Sequence, residues 1–482
     1  MTLGLLEVHQ RWPKPQYLAA ACAIGDLFFR TLTEGRINIA ELGLHHGLSA
    51  TVMLDAAVEL YIASSQQRYL DLALQILKQA NERPELELLP QLLAGVDLAE
   101  ISTGKAYQLS WNMVGLAKLY RVTGDQQYLR AVQNGWESIR QNHLTLGGGP
   151  WGGVGQRSRE VFNPAGIFSP EGYVETCSTL SWLQLNRELL MLTGEARYAQ
   201  EIERSAYNDL LGAMAPNGED WCYYSYPNGR RVFTTYWRCC KSSGAMALEE
   251  LPALAYQMTA PATLSVNLYG PGSARFTTDS CGSVLLEQRT DYPFGSDIQI
   301  VVTPEQTVKF SIRLRIPDWA EQAALYVNGG VCETAIAADS YALIERVWNP
   351  GDVITLSLPM PLRLQRKTSR SLQQSKDPAG VLVEQEVMHY DYVAITRGPL
   401  VYASDLIDGF KTHETIRLPA GDDAQLLELL EPAPGYAGPT VRLKLDYREP
   451  LSFQPYFEAG GRRDGSWRLT WMQSAPTPAD AS

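Results

Sequence analysis

No apolar run in the chain approaches the ~20 residues that a bilayer-spanning helix needs. Its opening, Met1 to Trp12, has no basic segment followed by an apolar one, so no secretory leader is legible. Cysteine is scarce, with seven in 482 residues, an odd number spread along the chain. That is not the density of a disulfide scaffold. A reducing cytoplasm fits it, and would keep metal-binding thiols intact. Positive charge is also short: 41 Lys and Arg face 53 Asp and Glu, a net charge of -12. This balance argues against nucleic acid or an anionic membrane surface as the main partner. The glycine-rich run from Leu146 to Gly155 lacks the Gly-Lys-Ser/Thr ending of a phosphate loop and follows no clear strand. It reads as a loop that lets backbone approach a pocket closely.

What is present is ordinary in bulk and informative in pattern. A hydrophobic content of 45% and a charged content of 20% are those of a soluble globular protein. At 482 residues the chain is too long for one core, so two or three domains are expected. The 24 Tyr and 11 Trp suit either the core or the ring-shaped ligands, such as sugars, that stack on aromatic faces.

The first half reads as helices. Met53 to Ile62 has apolar residues at helical spacing and breaks at Ser64-Ser65, before a second helix near Arg68. A related phrase recurs: Leu116-Ala117-Lys118-Leu119-Tyr120, then Thr123-Gly124-Asp125, then Gln127-Tyr128-Leu129. It appears again as Leu189-Leu190-Met191-Leu192, then Thr193-Gly194-Glu195, then Arg197-Tyr198-Ala199. Each copy is a helix, a Gly or Ser stop, a polar start and a second helix anchored by tyrosine. The spacing, roughly 60 to 70 residues, suits stacked helical hairpins, closed into an α/α toroid or left as an open solenoid, of which closure is expected here. About nine or ten helices are legible, short of a full ring, so an incomplete toroid or a truncated chain is the expectation. The stretch from Arg157 to Tyr173 reads as irregular.

The pattern changes near Pro261. Thr263 to Tyr269, Val284 to Leu286, Ile298 to Val302 and Val308 to Ile316 alternate or run apolar at strand length. A β-sandwich is expected over 259–365, after a helical domain over 1–258. Arg366 to Gly380 is polar and reads as a long loop. Strands resume at Tyr392 to Ile395, Leu400 to Tyr402 and Val441 to Leu445, giving a second β-rich domain over 366–473. Residues 474–482 read as a disordered tail.

Chemistry concentrates in Tyr236-Trp237-Arg238-Cys239-Cys240-Lys241-Ser242-Ser243-Gly244 and in Glu175-Thr176-Cys177. Thiolates and a carboxylate are what zinc takes as ligands. Adjacent cysteines bridge each other only with strain, so a shared metal suits the pair, although buried cysteine also serves as a small hydrophobe.

These residues resemble glycoside hydrolase family 127, the zinc- and cysteine-dependent β-L-arabinofuranosidases. The resemblance also rests on Ile202-Glu203-Arg204 with Tyr207-Asn208, Arg315-Ile316-Pro317-Asp318-Trp319-Ala320, Val327-Asn328-Gly329, and Arg397-Gly398-Pro399-Leu400-Val401-Tyr402. It implies an (α/α)6 barrel followed by β-sandwich domains, and a retaining glycosidase acting on an oligosaccharide or glycoside. It further implies Zn2+ held by Glu175, Cys177, Cys239 and Cys240, with Cys239 as nucleophile. Glu160 is the implied general acid, with Glu171 a competitor. His46, Glu203 and Tyr223 are implied to contact the sugar, against readings as a core histidine, a helix-face carboxylate and a core aromatic. The chain departs from the family pattern in two places. Gly104-Lys105 stands where a histidine often follows the glycine, and Lys241-Ser242 stands in place of two prolines. The rival expectation is a carbohydrate-binding protein that keeps zinc only as a staple.

Overall fold

The structure, a computed structural model, describes residues 1–153, 160–236, 238–407, 409, 411–419 and 422–476. Val154 and Gly155 of the glycine-rich run, Arg157 to Arg159, and Trp237 of the cysteine motif lie outside the described residues. The chain divides into two compact units. One comprises Met1–Thr145, Pro150–Ile167 and Cys177–Leu192; the other comprises Leu146–Gly149, Phe168–Thr176 and Thr193–Ser482.

The first unit is helical. Met53–Ser64 ends on Ser65 in left-handed backbone (φ 55°) and is followed by Gln67–Glu82. Ala106–Thr123 ends on Gly124 (φ 71°), where positive φ favours glycine. Asp125 then caps Gln126–Asn142 by accepting a hydrogen bond from the Gln127 amide at 3.1 Å. The recurring phrase is thus a cap signal, and its tyrosines anchor: Tyr69 is fully buried and its hydroxyl donates to Asp26 at 2.8 Å. Between helices a cation is buried with its counter-charges. Lys118 Nζ lies 2.6 Å from Asp55 and 2.9 Å from Glu59, and Arg121 lies 3.1 Å from Glu59. A buried ammonium is tolerable only when paired in this way.

The second unit carries the sheets. One runs in the order Ser340–Trp348, Val308–Ile316, Thr263–Val266, Tyr256–Ala260. Another runs Gly330–Val331, Ala324–Val327, Asp352–Ser357, Asp297–Pro304, Gly282–Arg289, Gly272–Thr278. Alternating residues of both, among them Leu264, Ile300, Ile312, Leu314, Trp348 and Leu356, form a single apolar cluster. A third sheet holds Leu382–Arg397 between Leu400–Ala403 and Met472–Pro476.

Two expectations change here. Arg366 to Gly380 is no loop: Leu362–Lys376 pairs antiparallel with Leu382–Arg397 along its length, with a bulge between Ser371 and Leu372. A ladder held by backbone bonds and half open to water needs no alternating apolar residues, so its polarity misleads. Ser474 to Pro476, read as tail, lie in the strand Met472–Pro476, paired with Asp391–Val393 and alongside Thr415–Leu418. Residues 477–482 lie outside the described residues. Among the described residues no helix is long and apolar enough to cross a membrane.

Candidate functional site

The short strand Tyr173–Glu175 pairs antiparallel with Tyr224–Ser225, setting Glu175 opposite Tyr224. It runs directly into the helix Thr176–Thr193, so Glu175 ends the strand and Cys177 lies in the helix's first turn. Thr176 fixes the junction: its amide donates to the Tyr223 carbonyl at 3.1 Å and its hydroxyl to the Cys222 carbonyl at 2.8 Å. Tyr223 is therefore held beside the Glu-Thr-Cys motif and is half-buried. Rings gather around the strand pair, with Tyr173 4.3 Å and Tyr223 4.6 Å from Tyr224 between centroids. Glu175 is buried, at 6% exposure.

The helix Cys239–Leu254 opens on both cysteines, Cys239 exposed and Cys240 fully buried. The first turn of a helix directs unpaired backbone N–H groups and the positive end of its dipole outward, a setting that suits anionic sulfur. Gly244, one turn on, lies against Trp221. A Cβ there would come within 2.4 Å of the indole, so glycine lets this helix settle on that ring. Lys241 reaches Asp220 at 3.7 Å on the surface.

Cys177, Cys239 and Cys240 form a group that could hold a metal ion: their sulfur atoms all lie within 4.8 Å of one another. Two sulfurs on one tetrahedral zinc, each about 2.3 Å from it, stand about 3.8 Å apart, so the donor set fits zinc in type and in spacing. Glu175 is not a member of this mutually close set. It is two residues from Cys177 in sequence, at the end of the adjoining strand.

Within the helical unit a second constellation forms around Glu160. Gly104 to Ala106 and Glu160 to Phe162 run antiparallel. The Ala106 amide donates to the Glu160 carbonyl at 3.1 Å and the Phe162 amide to the Gly104 carbonyl at 2.8 Å. Across this bridge the Lys105 ammonium meets the Glu160 carboxylate; their side chains are 8% and 20% exposed. His45 adjoins them, its Nδ1 2.7 Å from the Thr103 hydroxyl. Burial and then the nearby Lys105 charge hold the His45 imidazole below its usual pKa, against the opposing pull of Glu160. Ser102 donates to the His45 carbonyl at 2.8 Å, and its hydroxyl lies 3.5 Å from His46 Nδ1. Four non-glycine residues take left-handed backbone here: His45 (58°), His46 (53°), Ser102 (56°) and Glu160 (67°). Such conformations are costly and gather at functional sites.

The sequence model of the beta-L-arabinofuranosidase GH127 catalytic domain matches residues 1–253, more than half of the chain, and that of the GH127 middle domain matches residues 263–360. The chain belongs to the GH127 family. Among curated proteins, this GH127 chain is 22% identical over 330 residues to a non-reducing end beta-L-arabinofuranosidase from Bifidobacterium longum subsp. longum. That match takes in 64% of this chain and 47% of the relative, so the chain spans about half the length of the curated protein it matches. Among solved structures it resembles a glycoside hydrolase at a TM-score of 0.75 and 22% identity, over 98% of this chain and 83% of that one. It also resembles a GH127 beta-L-arabinofuranosidase from Geobacillus stearothermophilus T6 at a TM-score of 0.65 and 20% identity, over 98% and 89% of the two chains. At these identities the likeness is one of fold, a multidomain arrangement of helices and sheets.

The remaining residues expected at the site of this GH127 chain fall in different places. His46 lies beside Ser102 in the Lys105–Glu160 constellation. Glu171 is on the surface, 3.0 Å from His413. Glu203 is fully buried: its carboxylate accepts from Arg315, itself fully buried, and from the Tyr292 hydroxyl at 2.7 Å. In this place it staples the helix Ala196–Ser205 to the strand Val308–Ile316, both in the second unit. The sequence reading missed His45, Thr103 and the contact of Lys105 with Glu160. The signal available was the double histidine before Gly47 together with the departure at Lys105.

Proposed function

We propose that this chain is a retaining glycoside hydrolase acting on β-L-arabinofuranosides or closely related glycosides. The observation that carries the reading is the grouping of Cys177, Cys239 and Cys240 in a chain whose helical half matches the GH127 catalytic domain. In this reading Glu175, Cys177, Cys239 and Cys240 hold zinc, which when bound keeps thiols deprotonated and so nucleophilic. Cys239, the exposed member of the group, attacks the anomeric carbon, while Glu160 protonates the departing glycosidic oxygen. Glu160 then takes a proton from water, whose oxygen displaces the sulfur. Two inversions leave the anomeric configuration unchanged. Tyr223 and His46 are assigned to sugar contact. The helical part, over 1–258, is read as the toroid of such an enzyme, and the two sheets that share one apolar cluster as its β-sandwich.

The test is release of nitrophenol from an aryl β-L-arabinofuranoside by the whole chain and by Cys239→Ala, with zinc content measured alongside. Wild-type turnover with at least a thousandfold loss in Cys239→Ala is expected. Full activity in the variant ends the nucleophile assignment. The cation on Glu160 favours one second reading, a sugar-binding protein with zinc as a staple; binding without turnover on a broad glycoside panel would establish it.

A further inference from the structure

Lys105 is a buried cation, and burial of an ammonium is costly unless a counter-charge sits against it. Its counter-charge is Glu160, brought there by backbone rather than by a flexible side chain. The two amide–carbonyl bonds that zip Gly104–Ala106 to Glu160–Phe162 fix the pair's register, and Glu160 itself sits in left-handed backbone at φ 67°. The backbone thus fixes where the Glu160 side chain starts, and the Lys105 ammonium is what its carboxylate meets.

We propose that Lys105 is the positioning residue for Glu160, aiming its carboxylate and setting the charge against which it gains and loses a proton. The inference rests on the acid–base role given to Glu160 above. Lys105, Glu160 and His46 are the charged and titratable groups that act on His45, so this imidazole reports on the pair. The proton given to the leaving oxygen is the one on Glu160, and the proton regained comes from water.

The test combines a pH profile with imidazole titration in the whole, zinc-loaded protein. In Lys105→Met the alkaline limb of kcat/KM moves to higher pH, by about 1 to 2 pH units, because the ammonium that opposed the neutral carboxyl is gone. Lys105→Arg, which keeps the charge, leaves the limb near its wild-type place. By NMR of histidine-labelled protein, the His45 imidazole titrates at higher pH in Lys105→Met and at lower pH in Glu160→Gln, since the two charges act on it with opposite sign. An unmoved limb together with an unmoved imidazole in Lys105→Met overturns the positioning role. Wild-type hydrolysis of an alkyl glycoside by Glu160→Gln removes the acid–base reading itself, and the positioning role with it. The two failures are therefore told apart by which variant is silent.

Discussion

Arg315 shows how much one side chain can hold. Its guanidinium is fully buried and spends its donors on the Asn267 carbonyl, on Gln200 at 2.9 Å and on Glu203, which Tyr292 also serves. Neither charge tolerates loss of the other, because the survivor would be left buried without compensation. Arg315→Met is therefore expected to cost about 3–5 kcal/mol, read from the urea midpoint at unchanged slope. Replacing both partners, as in Glu203→Leu with Arg315→Met, is expected to cost less than the single change. A double variant as damaged as the sum of its parts would show that the pair is not a unit. The sequence marked Glu203 and Arg315 as belonging to motifs, but not as partners. Their separation along the chain hides the pairing, and a helix with two glutamates and two arginines, such as Ala196–Ser205, reads as a wet surface until the sheet that covers it is seen.

At the scale of elements, the most exacting junction is where the Cys239–Leu254 helix meets Trp221. A methyl on Gly244 would press into the indole, whereas one on Gly124 meets nothing within 4 Å and suffers only from left-handed backbone. Gly124→Ala is thus expected to lose about 1–2 kcal/mol and, on the zinc reading proposed above, to leave metal content unchanged. Gly244→Ala is expected to lose about 1–3 kcal/mol and also to lower zinc content, by shifting the helix start that carries the cysteines. Thermal unfolding and metal analysis of the two purified variants check both; equal zinc retention would separate Gly244 from the metal group. The cap signals at Ser65, Gly124 and Gly194 were legible because positive φ leaves few choices of residue. The clustering of the cysteines was legible as chemistry, since two short motifs carried the whole donor set. Of the hairpin of Leu362–Lys376 and Leu382–Arg397 only Tyr392 to Ile395 was legible, because water on the rest of its surface removes the apolar period that betrays a strand. The bridge that pairs Lys105 with Val161, and so brings Glu160 to Lys105, was hidden for a related reason: a single paired position leaves no periodicity to read.

At the scale of the whole molecule, the catalytic-domain match ends at residue 253, but the helices it takes in do not end their partnerships there. Tyr207 donates to the Tyr269 carbonyl at 3.0 Å, and Asn208 is bonded to both Pro399 and Val401 at 2.9 Å, all within the second unit. With Glu203 on Arg315, these leave several buried polar groups unsatisfied if the chain stops near residue 258. Such a shortened chain is expected to be insoluble or to unfold without cooperativity, checked by soluble yield and thermal melting beside the full chain. A sharp transition from the short form would refute the dependence.

The staple between Glu203 and Arg315 therefore has a practical bearing on recombination. A chimera that grafts the helical half of this chain onto the strands of a relative inherits an acidic group that needs a guanidinium at one particular position of the incoming sheet. Crossover points that keep Gln200, Glu203, Asn267, Tyr292 and Arg315 on one parent should yield folded offspring. Those that split the set should fail however compatible the surfaces are.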